Sequence, residues 1–308
     1  MLNEPSPQNK ASIEIAPIVA IETDGRFVRL SFEVPDVGRR AFPGQFFEVS
    51  SHGRDDLGNP IGNELSPLLN RPFSIHSQTG EGFSILVEIV GQSSSRLAAL
   101  RPGDHVRVIG PLGQGLTTIP KDVDRLVLVA GGIGIAPFMA FAQFAKENGV
   151  PCWLYYGVNT AKDLALRVSD RSPFGCILLD EFTSLGCRCS LASMLDDSFF
   201  EGTVVDLLDR DYNDKHGPFE DTGGRALLIG CGPQPMERAL ADWSREHRQE
   251  TYLLMEEMMG CGFGICRSCV VPGFDIDEDG VKVKRNLAVC RDGPMIRADR
   301  IDWEKDWT

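Results

Sequence analysis

The stretch Arg125–Pro137 reads Arg-Leu-Val-Leu-Val-Ala-Gly-Gly-Ile-Gly-Ile-Ala-Pro. Its apolar run has no alternation of polar and apolar positions, which is the pattern of a strand buried on both faces of a parallel sheet. Glycines follow at once, and Pro137 opens a helix-like segment that runs to Asn148. Strand, glycine turn and helix in that order let a diphosphate approach the backbone at a helix N-terminus. The turn does not complete a Gly-x-Gly-x-x-Gly fingerprint, and such turns also serve purely as turns.

Toward the C-terminus the rhythm continues. Cys152–Gly157 reads as a strand, Lys162–Arg167 as a helix, Gly175–Leu179 as a strand, Arg225–Ile229 as a strand and Gln234–His247 as a helix. Strands alternating with helices imply a parallel sheet with right-handed crossovers. A second turn, Ile229-Gly-Cys-Gly-Pro-Gln-Pro-Met236, ends the later strand. Gly131, Gly132 and Gly134 then share the carboxyl edge of the sheet with Cys231, Gly232 and Pro233, where ligands of open α/β sheets lie. Cys231 is small and polarizable enough to pack on a flat ring; a buried small hydrophobe is its plainer reading. The polar stretch 209–224 and the pair Cys187 and Cys189 are expected in loops, and Cys152 and Cys176 in the core.

Ahead of residue 124 the chain is strand-like. Short apolar runs at Ile13–Ile21, Phe27–Val34, Phe46–Val49, Phe83–Val90 and Val106–Ile109 are separated by Pro, Gly, Asp and Asn clusters. That spacing predicts an antiparallel barrel or sandwich, with one short helix at Ser94–Leu100 and a loop insertion at Ser51–Ser66. Within it, Arg71 is suited to clamping a phosphate, Ser74 to bonding a ring nitrogen, and Ser93 and Ser94 to offering hydroxyls at a helix start; an ordinary arginine and an ordinary cap serine read the same way. His76 and His105 read as packed or solvent-facing.

The last 56 residues hold four of the nine cysteines. Cys261, Cys266 and Cys269 are separated by four and two residues, and Cys290 follows after twenty more. This is the plant-type spacing of a 2Fe–2S cluster, with glycines 260, 262 and 264 leaving room for close backbone approach. A structural zinc site is the alternative, although zinc sites usually pair two short cysteine hairpins and only one is present. The acidic run Asp275–Asp279 is expected at a solvated hairpin tip between Cys269 and Cys290.

Composition bounds the rest. The chain has 308 residues, 42 % hydrophobic and 24 % charged, with 31 Lys and Arg against 44 Asp and Glu for a net charge of −13. That balance disfavours nucleic-acid and anionic-membrane partners. Met1–Lys10 lacks the features of a secretory signal, no window resembles a membrane span, and the chain is read as cytoplasmic.

Together the segments Arg71-Pro72-Phe73-Ser74, Gly91–Leu97, Gly110–Gly115, Ala130–Phe138, Gly230–Met236 and Cys261–Cys269 with Cys290 resemble the ferredoxin reductase superfamily in order and spacing, and within it the dihydroorotate dehydrogenase electron transfer subunits. Pro43–Phe46 fits as well. The resemblance implies a multidomain α/β plus all-β chain: an antiparallel FAD-binding β-barrel (11–120), a central parallel α/β NAD-binding domain (121–252) and a small C-terminal 2Fe-2S domain (253–308). It places Arg71, Pro72, Phe73 and Ser74, then Leu86, Val87 and Glu88, then Ser93 and Ser94, at the flavin. Two departures stand out. An arginine is common in the family where Glu88 stands and a Gly-Thr pair is usual where Ser93-Ser94 stands, and an acid beside pyrophosphate is unfavourable. At Asn159, NADP-using relatives often carry an arginine, so NAD is expected over NADP. The resemblance also implies an FMN-containing catalytic partner subunit in a hetero-oligomer, with electrons relayed through cluster and FAD in pyrimidine biosynthesis and with no general base in this chain. Service to another complex, such as a hydrogenase or a ferredoxin-NADP transhydrogenase, and a non-enzymatic metal-binding adaptor are the competing readings. A fused plant-type ferredoxin is disfavoured, because such a domain needs more chain than the tail provides.

Overall fold

The computed structural model describes residues 11–35, 41–54, 59, 67–166, 176–220, 224–277 and 281–305. The N-terminal part is an antiparallel sheet of seven strands: β1 (Ser12–Asp24), β2 (Phe27–Glu33), β3 (Phe46–Arg54), β4 (Arg71–Ser74), β5 (Ser77–Gln78), β6 (Gly82–Glu88) and β7 (His105–Leu112), in the order β4-β3-β7-β1-β2-β6-β5. β1 is the bend. Its first half, Ser12–Pro17, pairs with β7 and its second half, from Ile18, pairs with β2, with a register shift between Ile18 and Ala20. Irregular register of this kind turns a flat sheet into a half-barrel. Its inner face buries Phe32, Phe47, Ile75, Phe83 and Ile85, and the Phe47 and Phe83 rings stack at 3.9 Å between centroids. The helix α1 (Gln92–Ala98) lies between β6 and β7 in the chain.

The second sheet has seven strands in the order β11-β10-β9-β8-β12-β13-β16: β8 (Val123–Gly131), β9 (Cys152–Val158), β10 (Arg188–Ser193), β11 (Phe200–Glu201), β12 (Arg225–Cys231), β13 (Thr251–Leu254) and β16 (Met295–Arg297). All neighbours are parallel except β13 and β16. Helices α2 (Phe138–Glu147), α3 (Ile177–Ser184), α4 (Val204–Asn213) and α5 (Gln234–Glu246) accompany it. From β8 the chain winds outward through β9, β10 and β11, then returns to β12 on the other side of β8. The switch point therefore lies between β8 and β12, where a crevice opens at the carboxyl ends of the strands. A hairpin of β14 (Val270–Ile276) and β15 (Lys282–Ala288), with the short α6 (Val289–Asp292), completes the chain. β13 crosses the expected boundary at 252/253, and β16 carries the C-terminal unit into the edge of the second sheet.

Several local expectations are corrected in whole or in part. The helix at 162–167 is only a 3-10 turn, Ala161–Asp163, opened by a capping box in which the Asp163 carboxylate accepts from the Thr160 N–H, and the chain is extended again at Leu164; Arg167 lies outside the described residues. The strand at 175–179 is helix α3, with Leu178, Leu179 and Phe182 on its buried face; Gly175 is outside the described residues, and a short apolar run does not distinguish the two periods. The strand that does exist there is β10. It carries the half-buried Cys189, while Cys187 lies in the short connection before it, as expected, but is buried with its thiol 3.3 Å from that of Cys152. Part of 209–224 is helical, since α4 runs to Asn213 from a Thr203–Asp206 capping box. The acidic run does reach a hairpin tip, with Asp277 exposed between β14 and β15 and 278–279 outside the described residues, but Asp275 belongs to β14 and pairs with Arg285 at 2.5 Å and Arg300 at 2.6 Å. Of the expected insertion at 51–66, residues 51–54 extend β3, and 55–58 and 60–66 lie outside the described residues.

Two ion pairs join the sheets. Arg29 on β2 grips Glu181 on α3 with both ends of its guanidinium, at 2.5 and 2.8 Å. His76, fully buried, donates from Nδ1 to the carbonyl of Ala136 at 2.6 Å, tying the segment after β4 to the turn after β8. Arg26 makes the second ion pair, described below. No helix among the described residues is long and apolar enough to cross a membrane.

Candidate functional site

A cleft of about 630 Å³ opens between the half-barrel and the second sheet. One wall is Pro72, Phe73 and Ser74 of β4 with Leu86, Val87 and Glu88 of β6. The opposite wall is the segment Met255–Met259, which follows β13, and Ile133 and Ala136 of the glycine turn close one end. Six of the sequence candidates thus line one cavity, of the size usual for small-molecule sites and mostly apolar in its walls. Sequence reasoning missed the Met255–Met259 wall, since a polar-apolar mixture between a strand and a cysteine loop carries no period to read.

Glu88 does not stand alone. Its Oε1 lies 3.1 Å from Arg26 Nε, and Arg26 Nη2 lies 3.1 Å from Asp163 at the turn after β9. Strand register explains the meeting: Phe27 of β2 pairs with Glu88 of β6, so the residue before Phe27 reaches the same end of the wall. The Glu88 carboxylate is thus matched by an arginine supplied from the turn that precedes β2. Arg71 is turned back on its own loop, donating to the carbonyls of Leu69 at 3.1 Å and Asn70 at 3.0 Å. The Ser94 hydroxyl is used inside its own turn, accepting from the N–H groups of Val90 and Gly91 and donating to the Gly91 carbonyl; Ser93 is half-buried beside it.

The two glycine turns meet at the switch point. Ala130 of β8 and Cys231 of β12 are register partners. A side chain at Gly134 would place its Cβ 2.2 Å from the Cys231 carbonyl oxygen, and one at Gly131 would meet Met236 Sδ at 2.6 Å. Gly132 takes a φ of +54°, in the left-handed region. The glycines are thus demanded by the crossing of the turns, beside Gly232 and Pro233. Cys231 is buried, with its thiol directed at the Leu254 carbonyl, and burial with Glu256 and Glu237 nearby pushes its titration well up. It does not line the cleft wall.

The cysteines gather one step further along. Met259 still lines the cleft and Cys261 begins the loop. Gly262 and Gly264 both adopt φ +76°, and the curled backbone points N–H groups at sulfur: Gly264 to Cys290 at 3.0 Å, Phe263 to Cys261 at 3.4 Å and Cys266 to Cys261 at 3.5 Å. Cys269 and Cys290 are buried with their sulfurs 3.2 Å apart; burial and that neighbouring thiol push Cys290 up. Cys266 is exposed, and the Ser268 hydroxyl and N–H hold its thiol below the usual range. Among the described residues no group of three or more His, Cys, Asp and Glu side chains is placed to hold a single metal ion. Three thiols on one loop and a fourth on α6 make up the four-sulfur donor set of a 2Fe–2S cluster.

The loop rests on the half-barrel. A Cβ at Gly262 would lie 2.9 Å from Glu48 Cγ and 3.0 Å from Leu112. Glu48, paired in register with Pro72, is 3 % exposed, its Oε1 has no partner among the described residues, and burial pushes it up to about 7 against the opposing pull of Arg71. A larger crevice of about 1320 Å³ lies at the opposite, amino ends of β8 and β12, among Arg125, Arg225, Arg248 and Trp303, and holds none of the candidate residues.

Comparison with known proteins agrees with this geometry. The family described as the iron-sulfur cluster binding domain of dihydroorotate dehydrogenase B matches residues 256–302, and the oxidoreductase NAD-binding domain family matches residues 128–170. The dihydroorotate dehydrogenase B (NAD(+)) electron transfer subunit of Desulforamulus reducens is 30 % identical over 278 residues, covering 89 % of this chain and 92 % of the relative. That of Geobacillus kaustophilus is 32 % identical over 265 residues, covering 84 % and 86 %. Among solved structures, a chain of the NADH-dependent reduced ferredoxin-NADP oxidoreductase aligns with a TM-score of 0.69 at 23 % identity, over 94 % of this chain and 91 % of that one. A ferredoxin reductase of carbazole 1,9a-dioxygenase aligns at 0.54 and 18 % identity, over 78 % and 66 %. These structures share a ferredoxin-reductase-like fold with this chain.

Proposed function

This chain belongs to the dihydroorotate dehydrogenase B electron transfer subunits, and from that premise we propose that it relays electrons between the catalytic subunit of that enzyme and NAD, in pyrimidine biosynthesis. The observation that carries the reading is continuity: the segment Met255–Met259 walls the cleft and runs directly into the cysteine loop at Cys261.

The residues present fit the groups this function needs. Pro72, Phe73, Ser74, Leu86 and Val87 offer an apolar face with one hydroxyl for FAD, and Glu88 is neutralised there by Arg26. Cys261, Cys266, Cys269 and Cys290 supply four thiolates for a 2Fe–2S cluster, with backbone N–H groups already turned toward the sulfurs of Cys261 and Cys290. When bound, FAD supplies the exchange between two-electron hydride chemistry and the single electrons that a cluster carries.

The chain's own part is binding and placement. The crossing at Gly131, Gly132 and Gly134 with Cys231, Gly232 and Pro233 offers a dinucleotide the carboxyl edge of the sheet, next to Ile133 and Ala136 on the cleft. Ser93 would face the phosphate end of the flavin from the start of α1, while Ser94 shapes the turn and Arg71 shapes the approach to β4. NAD is favoured over NADP because Asp163 and Asp196 flank the turn after Asn159, where an added phosphate would meet carboxylates. We assign 11–120 to FAD, 121–252 to NAD and 253–308 to the cluster, with β13 and β16 binding the last two together.

The partner is an FMN-containing subunit in a hetero-oligomer. Met258, Phe263 and Ile265, exposed by 82, 45 and 83 % beside the cysteine loop, form the apolar face suited to it. The test is co-purification followed by anaerobic mixing: NADH should reduce the bound flavin, and dihydroorotate should do so only when the partner is present. A chain that NADH reduces but dihydroorotate with partner does not would point instead to another complex.

A further inference from the structure

A second cavity stands outside the electron route. The crevice of about 1320 Å³ opens at the amino edge of the second sheet, opposite the glycine turns. Topology brings its walls together. β8, β12 and β13 run parallel and start there, with Arg125, Arg225 and Thr251 near their first residues, while β16 runs the other way and ends there at Arg297. α4 and α5 end at the same crevice, with Lys215 and Arg248 just past their C-termini. None of the residues that line the cleft, form the glycine turns or carry the cluster thiols lines it.

Charge sets the class of ligand. The chain carries a net charge of −13, yet seven cationic residues line this crevice against four acidic ones. Three of the acids are already engaged: Asp122 and Glu250 both pair with Arg225, and Asp299 pairs with Arg297. Lys215, Arg248 and Lys282 have no carboxylate partner among the described residues; the Lys282 ammonium donates to the Asp299 carbonyl at 2.8 Å. Arg125, buried in the wall, donates to the Gly224 carbonyl at 3.0 Å. Cations gathered in one concave surface repel one another, and a bound polyanion relieves that repulsion. The half-buried rings of Tyr212, Phe219 and Trp303 add aromatic surface, and Asn213 and Gln249 add carboxamides. Phosphates suit the cations, and a flat heterocycle suits the rings and amides.

We propose that this crevice is a second nucleotide site, separate from the glycine crossing, and that it binds a nucleoside triphosphate, with Lys215, Arg248 and Lys282 receiving the phosphates and the aromatic rings receiving the base. A bare polyphosphate leaves the rings unused. An acidic protein surface brings its charge against the rest of an acidic chain, whereas a small ligand meets only the crevice. The occupant takes no part in the electron route, so the site stands independently of the function proposed above.

The test uses the flavin- and cluster-loaded chain with saturating NAD⁺, which occupies the glycine crossing, and reads the binding of magnesium-free ATP by calorimetry. ATP should bind with a dissociation constant of about 100 μM or less. Lys215→Asn combined with Arg248→Asn removes two exposed cations, and asparagine suits the left-handed backbone that both residues adopt, at φ +51° and +53°. That variant should bind ATP about tenfold more weakly, with NAD⁺ affinity and melting temperature unchanged. Tripolyphosphate, which lacks the base, should bind the parent chain about tenfold more weakly than ATP. Absence of ATP binding, ATP binding that survives loss of both cations, or tripolyphosphate binding as tightly as ATP would each overturn the proposal. Should the chain fail to bind NAD⁺, the dinucleotide reading fails by itself, and the asparagine variant still decides whether ATP sits in the crevice.

Discussion

Arg26 Nε lies 3.1 Å from Glu88 Oε1 on the wall of the cleft, so a cation from the turn before β2 cancels an acid on β6. The Arg26 side chain is 48 % exposed, so the pair itself adds little to folding. Its weight falls on the cofactor. Arg26→Ala leaves Glu88 facing an anionic flavin nucleotide and should raise the FAD dissociation constant about tenfold, read by flavin fluorescence, with the melting temperature nearly unchanged. Adding Glu88→Gln should restore most of the affinity. Unchanged FAD binding in Arg26→Ala would remove this ion pair from the site.

The Arg29–Glu181 pair acts differently, because the Arg29 side chain is only 11 % exposed. Glu181→Ala removes a two-bonded partner and leaves the guanidinium with Glu22 alone. Chemical denaturation should show a loss of about 1–3 kcal/mol. A variant as stable as the parent would mean that β2 and α3 do not depend on this contact.

His76 sets a pH dependence of stability. Burial lowers it from the ordinary 6.5 to about 4. Its folded pKa lies below its unfolded one, so the stabilisation is complete above about pH 6.5 and is lost as the pH falls toward 4. Denaturation midpoints should drop through that window, by on the order of 2–3 kcal/mol from this one group. His76→Asn keeps a donor for the Ala136 carbonyl and should flatten that part of the profile.

The glycine crossing separates two kinds of constraint. Gly134→Ala drives a Cβ into the Cys231 carbonyl at 2.2 Å, so it should displace the turn and abolish dinucleotide binding. Gly132→Ala meets nothing within 4 Å and carries only the strain of φ +54°, about 1 kcal/mol. Calorimetric binding and melting curves on both variants distinguish them.

How much of this was legible beforehand follows from the kind of signal each part carries. The half-barrel strands and the two glycine turns have short-range patterns, and the cysteine spacing fixes a loop by itself. Ile177-Leu-Leu179 is apolar under either period, so the sequence does not separate α3 from a strand, and the burial of Phe182 reveals the helix. The Arg26 contact with Glu88 and the approach of Met255–Met259 to β4 and β6 depend on strand register and on how two sheets dock. Residues distant in sequence meet there, and no local pattern announces it. The sequence offers Arg71 for a phosphate on its charge and its motif; that its guanidinium also donates to the carbonyls of Leu69 and Asn70 depends on a local loop path no residue type announces.

The central claim is that the cleft and the cysteine loop form one electron path. The direct test is anaerobic reduction of the loaded chain by NADH, followed by low-temperature paramagnetic resonance, alongside Cys269→Ser. The account predicts iron and acid-labile sulfide in equal amounts at two of each per chain, a reduced-cluster signal that NADH elicits, and a serine variant that keeps its flavin but loses both that signal and transfer to the partner. Full partner-coupled NADH formation by the serine variant, or iron without labile sulfide in the parent chain, would contradict it.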